Sequence, residues 1–129
     1  MQAGTGIDIT EVPRIRESIQ RFGERFLNRV YTPSEQAYCL RKKKTAAESF
    51  AARFAAKEAA AKALGTGISH GIGWLEIEVT RDPNGRPGLL FHGRAAERAR
   101  ILGVFQASLS LTHTRELAMA SVSLESADK

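Results

Sequence analysis

Cysteine occurs once in the 129 residues, at Cys39. An internal disulfide is therefore excluded, and a reducing, cytoplasmic setting is expected. Cys39 has no CxxC partner and reads as a small helix residue rather than a nucleophile. No apolar run approaches the roughly 20 residues of a membrane span. The N-terminus carries no basic segment followed by an apolar stretch, so no secretion signal is read there. Aromatic residues make up only 7%, and most phenylalanines fall on helix stripes that read as buried. A nucleic-acid binder wants aromatics exposed among its cations. Acids are in the minority: 19 Lys and Arg face 14 Asp and Glu, for a net charge of +5. That excess asks for an anionic partner, whether nucleic acid, membrane surface, phosphorylated metabolite or acidic protein. Repeats, linkers and low-complexity stretches are absent too. Residues 1–129 read as a single domain with one core.

What the chain has in abundance is helix. From Thr45 to Leu64 almost every residue is a strong helix former. Gly65 stands where a left-handed C-cap belongs, and Gly67 loosens the exit. The resulting helix has about 20 residues and is roughly 30 Å long. Ala52, Ala55, Ala56, Ala59, Ala60 and Ala63 share one face, and methyl groups allow close approach of another element. Phe50, Phe54 and Glu58 rise along an adjacent edge, with Lys62 one turn beyond Glu58. Two readings of Glu58 and Lys62 stand side by side. They form an exposed i, i+4 ion pair worth a few tenths of a kcal/mol, or Glu58 holds a metal and Lys62 a phosphate.

Around this helix the periodicity predicts short elements. Gly4 to Ile9 reads as a strand with Asp8 opposite Ile7 and Ile9. Thr10 is the expected N-cap of a helix with Glu11 and Pro13 in its first turn. Ile15, Ile19, Phe22 and Phe26 form its apolar stripe. If the helix continues through Gly23, Arg14, Arg21 and Arg25 form a second stripe suited to an acidic protein. Thr32 and Pro33 start a helix that runs to about Leu40, and Arg41 to Lys44 is a basic run that reads as a mobile loop or as a contact for a phosphate or the acidic partner. Thr66 to Gly73, with Gly67, Ser69, Gly71 and Gly73, reads as a loop. Trp74 to Thr80 alternates as a strand, Asp82-Pro83-Asn84-Gly85 is a hairpin turn, and Gly88 to His92 returns. Gly93 to Leu102 reads as a helix with Ala95, Ala99 and Leu102 inward. Gln106 to Leu111 and Leu117 to Leu124 form a closing hairpin. The order predicts an α+β domain: a largely antiparallel sheet packed against one long central helix and shorter helices.

Three separated pieces carry a resemblance. They are Gly6-Ile7-Asp8-Ile9 with Arg14 downstream, then Phe54 to Ala63 followed by Gly65-Thr66-Gly67, with Glu58, Ala59 and Lys62 at their spacing, and finally Ser108 to His113. In this order they resemble the motifs of the 4′-phosphopantetheinyl transferases. The stretch from Trp74 through Gly85, Arg86 and Pro87 to Leu90 is similar as well, and the length fits the short, single-domain branch of that family. The resemblance spans residues 4 to 124 and implies the fold of that family. It also implies transfer of phosphopantetheine from coenzyme A to a serine of apo acyl carrier protein, with Mg2+ required and adenosine 3′,5′-bisphosphate leaving. Fatty acid biosynthesis is the implied setting, and a homotrimer with active sites across subunit interfaces the implied assembly. Neither nucleic acid nor membrane is an implied partner.

By the same resemblance Asp8 and Glu58 supply the metal's two carboxylates, and Lys62 meets the pyrophosphate. Such a set suits Mg2+, a hard ion that takes one or two protein carboxylates plus phosphate oxygens and water. Either Glu58 or a water on the metal takes the serine proton. Arg53, Arg86 and His113 are the implied cations for coenzyme A, with Pro87 along the adenosine and Gly65 approaching by its backbone. Arg14, Arg21 and Arg25 meet the carrier protein. His113 has a second reading as a satisfied structural histidine, and His70 and His92 match no motif. The chain departs from many relatives after His113, where Thr114 and Arg115 replace an acid; the metal then rests on Asp8 and Glu58. A small basic nucleic-acid-binding protein is the competing class.

Overall fold

The computed structural model describes residues 1–68 and 71–127. Ser69, read above as loop, and His70, read as structural, lie outside the described residues. The elements run β1 (Gln2–Glu11), α1 (Val12–Phe22), α2 (Glu24–Val30), α3 (Pro33–Leu40), α4 (Ala46–Ala63), β2 (Ile77–Arg81), β3 (Pro87–Phe91), α5 (Gly93–Leu102), β4 (Val104–His113) and β5 (Leu117–Ser126). The strands form two sheets, both antiparallel: β1-β5-β4 and the hairpin β2-β3. The α+β architecture with an antiparallel sheet on a long central helix is as expected.

The central helix is buried almost all round. Besides the six alanines assigned to one face, Ala51, Ala61, Arg53 and Lys57 are buried. A helix apolar on every side belongs in the middle of a fold rather than on its surface. The two halves of α4 build two cores. Ala51 and Ala52 pack with Val12, Leu27 and Phe50, while Ala55 to Leu64 pack with Ile77, Ala95 and Leu124. The helix ends as expected, with Gly65 at φ 81 and its N–H on the Lys62 carbonyl at 2.9 Å.

β1 lies very close to α4. A Cβ added to Gly4 would lie 2.0 Å from the Ala63 carbonyl oxygen, and one added to Gly6 would lie 1.9 Å from that of Ala59. Strand backbone therefore rests directly on helix backbone, which only glycine against alanine permits. The period of two then decides the rest. Gly4, Gly6, Asp8 and Thr10 face the helix, while Ile7 and Ile9 point away and are each 57% exposed. Asp8 lies opposite the isoleucines as expected, but the isoleucines take the outer face.

Three boundaries differ from the sequence reading. The helix expected to pass through Gly23 breaks there, because Gly23 adopts φ 56, ψ −130. Arg25 consequently stands on α2, and Arg14, Arg21 and Arg25 do not form one continuous stripe. Thr10 is not an N-cap: β1 continues through Glu11, and the Thr10 hydroxyl donates to Asp8 Oδ2 at 3.0 Å. The strand expected from Trp74 starts only at Ile77, since Trp74–Glu76 forms a 3₁₀ turn. Its cause is a buried ammonium. Lys57 Nζ donates to the carbonyls of Trp74 (3.0 Å) and Ile77 (2.6 Å), one on each side of the turn.

Lys57 also pairs with Glu35 at 2.9 Å, both side chains fully buried. Burial pushes the Lys57 ammonium below its ordinary pKa, and Glu35 opposes that shift. Glu35 is itself satisfied, accepting from the backbone N–H groups of Thr32 (2.8 Å) and Val79 (2.6 Å). With the Thr32 hydroxyl accepting from Glu35 N–H, these contacts complete the capping box of α3. One ion pair thus joins α3, α4 and β2.

Two stability tests follow from these contacts. Gly6→Val forces a side chain into the α4 backbone and should cost about 3 kcal/mol or more, read as a lower urea midpoint. Lys57→Met leaves Glu35 buried without its cation and should cost about 3–5 kcal/mol. An unchanged midpoint in either variant would contradict the corresponding contact.

Candidate active site

Asp8 reaches the helix because two glycines bring β1 onto α4. Its Oδ1 meets Lys62 Nζ at 3.2 Å, and the same ammonium donates to the Ile7 carbonyl at 3.0 Å. Lys62 therefore pairs with the strand, not with Glu58 one turn below it. Asp8, Glu58, Lys62 and Arg14 line one cavity of about 750 Å³, walled on its apolar side by Ile15, Phe26 and Phe54. Burial raises the pKa of Glu58, the negative charge of Asp8 raises it further, and Lys62 pulls it back. The Asp8 carboxylate, brought in by a second rigid element, thus disfavours the charge on Glu58 within one cavity. A cation or a proton relieves such an arrangement.

A second cavity, of about 430 Å³, holds Arg53 and His113. Arg53 is only 3% exposed, yet among the described residues it has no carboxylate within ion-pair distance. Its Nη1 donates to Ser49 Oγ at 3.3 Å and to the Ser49 carbonyl at 3.4 Å, and its guanidinium lies 4.2 Å from the Tyr38 ring centroid. Lys42 and Arg81 line the same cavity. Lys42 arrives because the basic run does not stay extended. Its next residue, Lys43, takes φ 52, a left-handed conformation unusual outside glycine, and begins a 3₁₀ turn. Tyr38 and Arg81 had no place among the residues read from the sequence, whereas Lys42 belongs to the basic run read as able to meet a phosphate. The usable signal was the basic run itself; Arg81, at the end of a strand, gave none.

The remaining expected residues line neither cavity. Arg86 is exposed in the β2–β3 turn, where its N–H donates to Asp82 Oδ1 at 2.9 Å, and Pro87 opens β3. Gly65 is accounted for by its left-handed cap. Arg21 and Arg25 are exposed on α1 and α2, with Arg21 over the Phe22 ring. Thr114, at the departure from the family pattern, closes the β4–β5 hairpin. Its Oγ1 accepts from the N–H groups of Glu116 (3.2 Å) and Leu117 (3.1 Å). His92 pairs with Glu78 at 2.9 Å, in keeping with a structural role.

Known proteins resemble this chain in both sequence and fold. The sequence profile of the 4′-phosphopantetheinyl transferase superfamily matches residues 4–120. A holo-(acyl-carrier-protein) synthase of Koribacter versatilis is 60% identical over 125 residues, covering 97% of this chain and 99% of its own. A crystal structure of the holo-(acyl-carrier-protein) synthase of Helicobacter pylori in complex with coenzyme A is 33% identical. It superposes with a TM-score of 0.82, covering 94% of this chain and 99% of that one. The corresponding enzyme of Neisseria meningitidis, also 33% identical, gives a TM-score of 0.87 over 97% of this chain and 99% of its own.

The coupling between the two carboxylates is directly measurable. With a chelator present, carbon NMR titration should place the Glu58 carboxyl above the ordinary glutamate range. Asp8→Asn should lower it and Lys62→Met should raise it further, burial holding part of the shift in both. A Glu58 pKa indifferent to both substitutions would contradict the shared cavity.

Proposed function

Because the chain belongs to the 4′-phosphopantetheinyl transferase superfamily, we propose that it moves the phosphopantetheine arm of coenzyme A onto a serine hydroxyl of apo acyl carrier protein. The serine oxygen forms the new bond to phosphorus, the bond to the departing phosphate breaks, and adenosine 3′,5′-bisphosphate leaves. The observation that carries this reading is the cavity that Asp8, Glu58 and Lys62 line together.

Mg2+ fits this donor set. Two hard carboxylates are present, and among the described residues no cluster of three or more His, Cys, Asp or Glu stands ready for a softer metal. When bound, the ion supplies charge neutralisation at the phosphate oxygens. Asp8, held by Lys62 and Thr10, presents a carboxylate that does not need to reorient. Lys62 meets the pyrophosphate as a point charge. Glu58 is the carboxylate of raised proton affinity, which suits it to take the serine proton. The apolar wall of Ile15, Phe26 and Phe54 limits water around these charges. Arg14 at the cavity, with Arg21 and Arg25 exposed beyond it, offers guanidinium groups to an acidic carrier protein.

With the pyrophosphate assigned to the first cavity, the other phosphate of coenzyme A, at the 3′ position, is left for the cations of the second. The two cavities share no lining residue within one chain. The outer face of the β1-β5-β4 sheet, with Ile7 and Ile9 exposed above a small hollow lined by Leu111 and Met119, is uncovered. Both features support a homotrimer in which a neighbouring copy completes each site. A cytoplasmic role in fatty acid biosynthesis accords with this reaction.

The test is intact mass of apo carrier protein after incubation with the protein, coenzyme A and Mg2+. Addition of one phosphopantetheine arm is the expected outcome. Asp8→Ala and Arg53→Met should each be inactive alone, and mixing the two should restore part of the turnover through sites built from both. No added mass with the wild-type chain, together with tight salt-sensitive binding to oligonucleotides, would overturn the assignment in favour of a nucleic-acid-binding protein.

A further inference from the structure

Four cations crowd around one aromatic ring. The Tyr38 centroid lies 4.2 Å from Arg53 Cζ, 4.9 Å from Lys42 Nζ, 4.9 Å from Arg81 Cζ and 5.7 Å from Arg41 Cζ. These groups come from separate places: α3 carries Tyr38, α4 carries Arg53, β2 carries Arg81, and the basic run carries Arg41 and Lys42. Among the described residues, none of the four cations forms an ion pair with an acid, although the chain has such pairs elsewhere. Like charges brought this close repel, and a carboxylate among them would neutralise the cavity they line. An aromatic ring offers attraction without charge, because its negative face draws a cation while leaving the net positive charge in place. Partial burial raises the Tyr38 phenol pKa, yet a side-chain hydrogen bond from Lys42 and the positive charges of Arg81, Arg53 and Lys42 outweigh that and lower it. The surplus cation is therefore felt at the ring.

We infer that Tyr38 is a positioning residue for the second cavity, its ring holding Arg53, Arg81 and Lys42 together as a preformed receptor for a phosphate monoester. Tyr38 acts through these three side chains. This inference rests on the proposed reaction, since the phosphate it serves is the 3′-phosphate of coenzyme A. The cation–π contacts need the ring, so Tyr38→Phe, which keeps the ring and loses only the hydroxyl's contact with Lys42, should stay close to wild type. Tyr38→Leu removes the π face while keeping an apolar side chain. It should let the three cations disperse and weaken the hold on that one phosphate, leaving the chemistry at Asp8 and Glu58 untouched.

The experiment is steady-state transfer to apo carrier protein with coenzyme A and with 3′-dephospho-coenzyme A, using wild type, Tyr38→Phe and Tyr38→Leu. Tyr38→Leu should raise KM for coenzyme A about 5- to 10-fold, with kcat and the carrier-protein KM unchanged. For the dephospho donor its KM should match wild type. Tyr38→Met, which fills similar space without a π face, carries the same test if the leucine chain does not fold. A loss of kcat, or an equal rise in KM for both donors, would show a merely structural role and overturn the inference. So would a Leu variant indistinguishable from wild type. Failure of the wild-type chain to use coenzyme A at all would instead overturn the proposed reaction, which keeps the two outcomes apart.

Discussion

The structure depends on one contact without side chains: the backbone of Gly4 and Gly6 lying on the carbonyl oxygens of Ala63 and Ala59. Sheet and helix ordinarily keep apart by the thickness of their side chains. Here glycine meets alanine, and β1 sinks onto α4 until the next inward residue, Asp8, reaches a lysine of the helix. The alanine face read from the sequence is therefore a means of placement as well as of packing. A bulkier pair would lift the strand and carry Asp8 away from Lys62 and Glu58. The cost is borne by the other face of β1, where Ile7 and Ile9 are left to solvent within a single chain.

Charge is handled in two opposite ways along the same helix. Lys57 is wholly buried, and every bonding demand it has is met by Glu35 and two carbonyls. That pair serves the fold, because a buried charge so fully partnered has little left to offer a ligand. Its neighbours within a turn are left short. Glu58 shares its cavity with another carboxylate, and Arg53 has only a serine and an aromatic ring. Incomplete neutralisation in buried surroundings marks a site that waits for a counter-charge. Lys57 settles the backbone, and Glu58 and Arg53, one on each side of it, are thereby aimed at separate cavities.

Legibility from sequence followed the range of the forces. The α4 boundaries, its glycine cap, the Thr32 start of α3, α5 and the closing hairpin were readable because propensity, capping and alternation are local. The break at Gly23 was missed because glycine inside a helical pattern is tolerated as often as it ends one, and only its backbone angles decided. The 3₁₀ turn at Trp74 was missed for a different reason: the residue that bends it, Lys57, lies far away in sequence. Arg81 and Tyr38 went unnoticed because a strand-end arginine and a helix tyrosine carry no signal until they meet.

By itself the sequence determined the element types, the central helix, the pairing of β4 with β5 and the residue types needed for a two-carboxylate site. It also carried enough ordered motif to name the family. Tertiary structure alone decided which charges meet. Lys62 chose Asp8 over Glu58, the isoleucines of β1 took the outer face, and the expected coenzyme A cations divided between the second cavity and an exposed turn. The reason is that a charge pair depends on distances of a few ångströms between segments remote in the chain. Those distances were settled by how closely two backbones are able to approach.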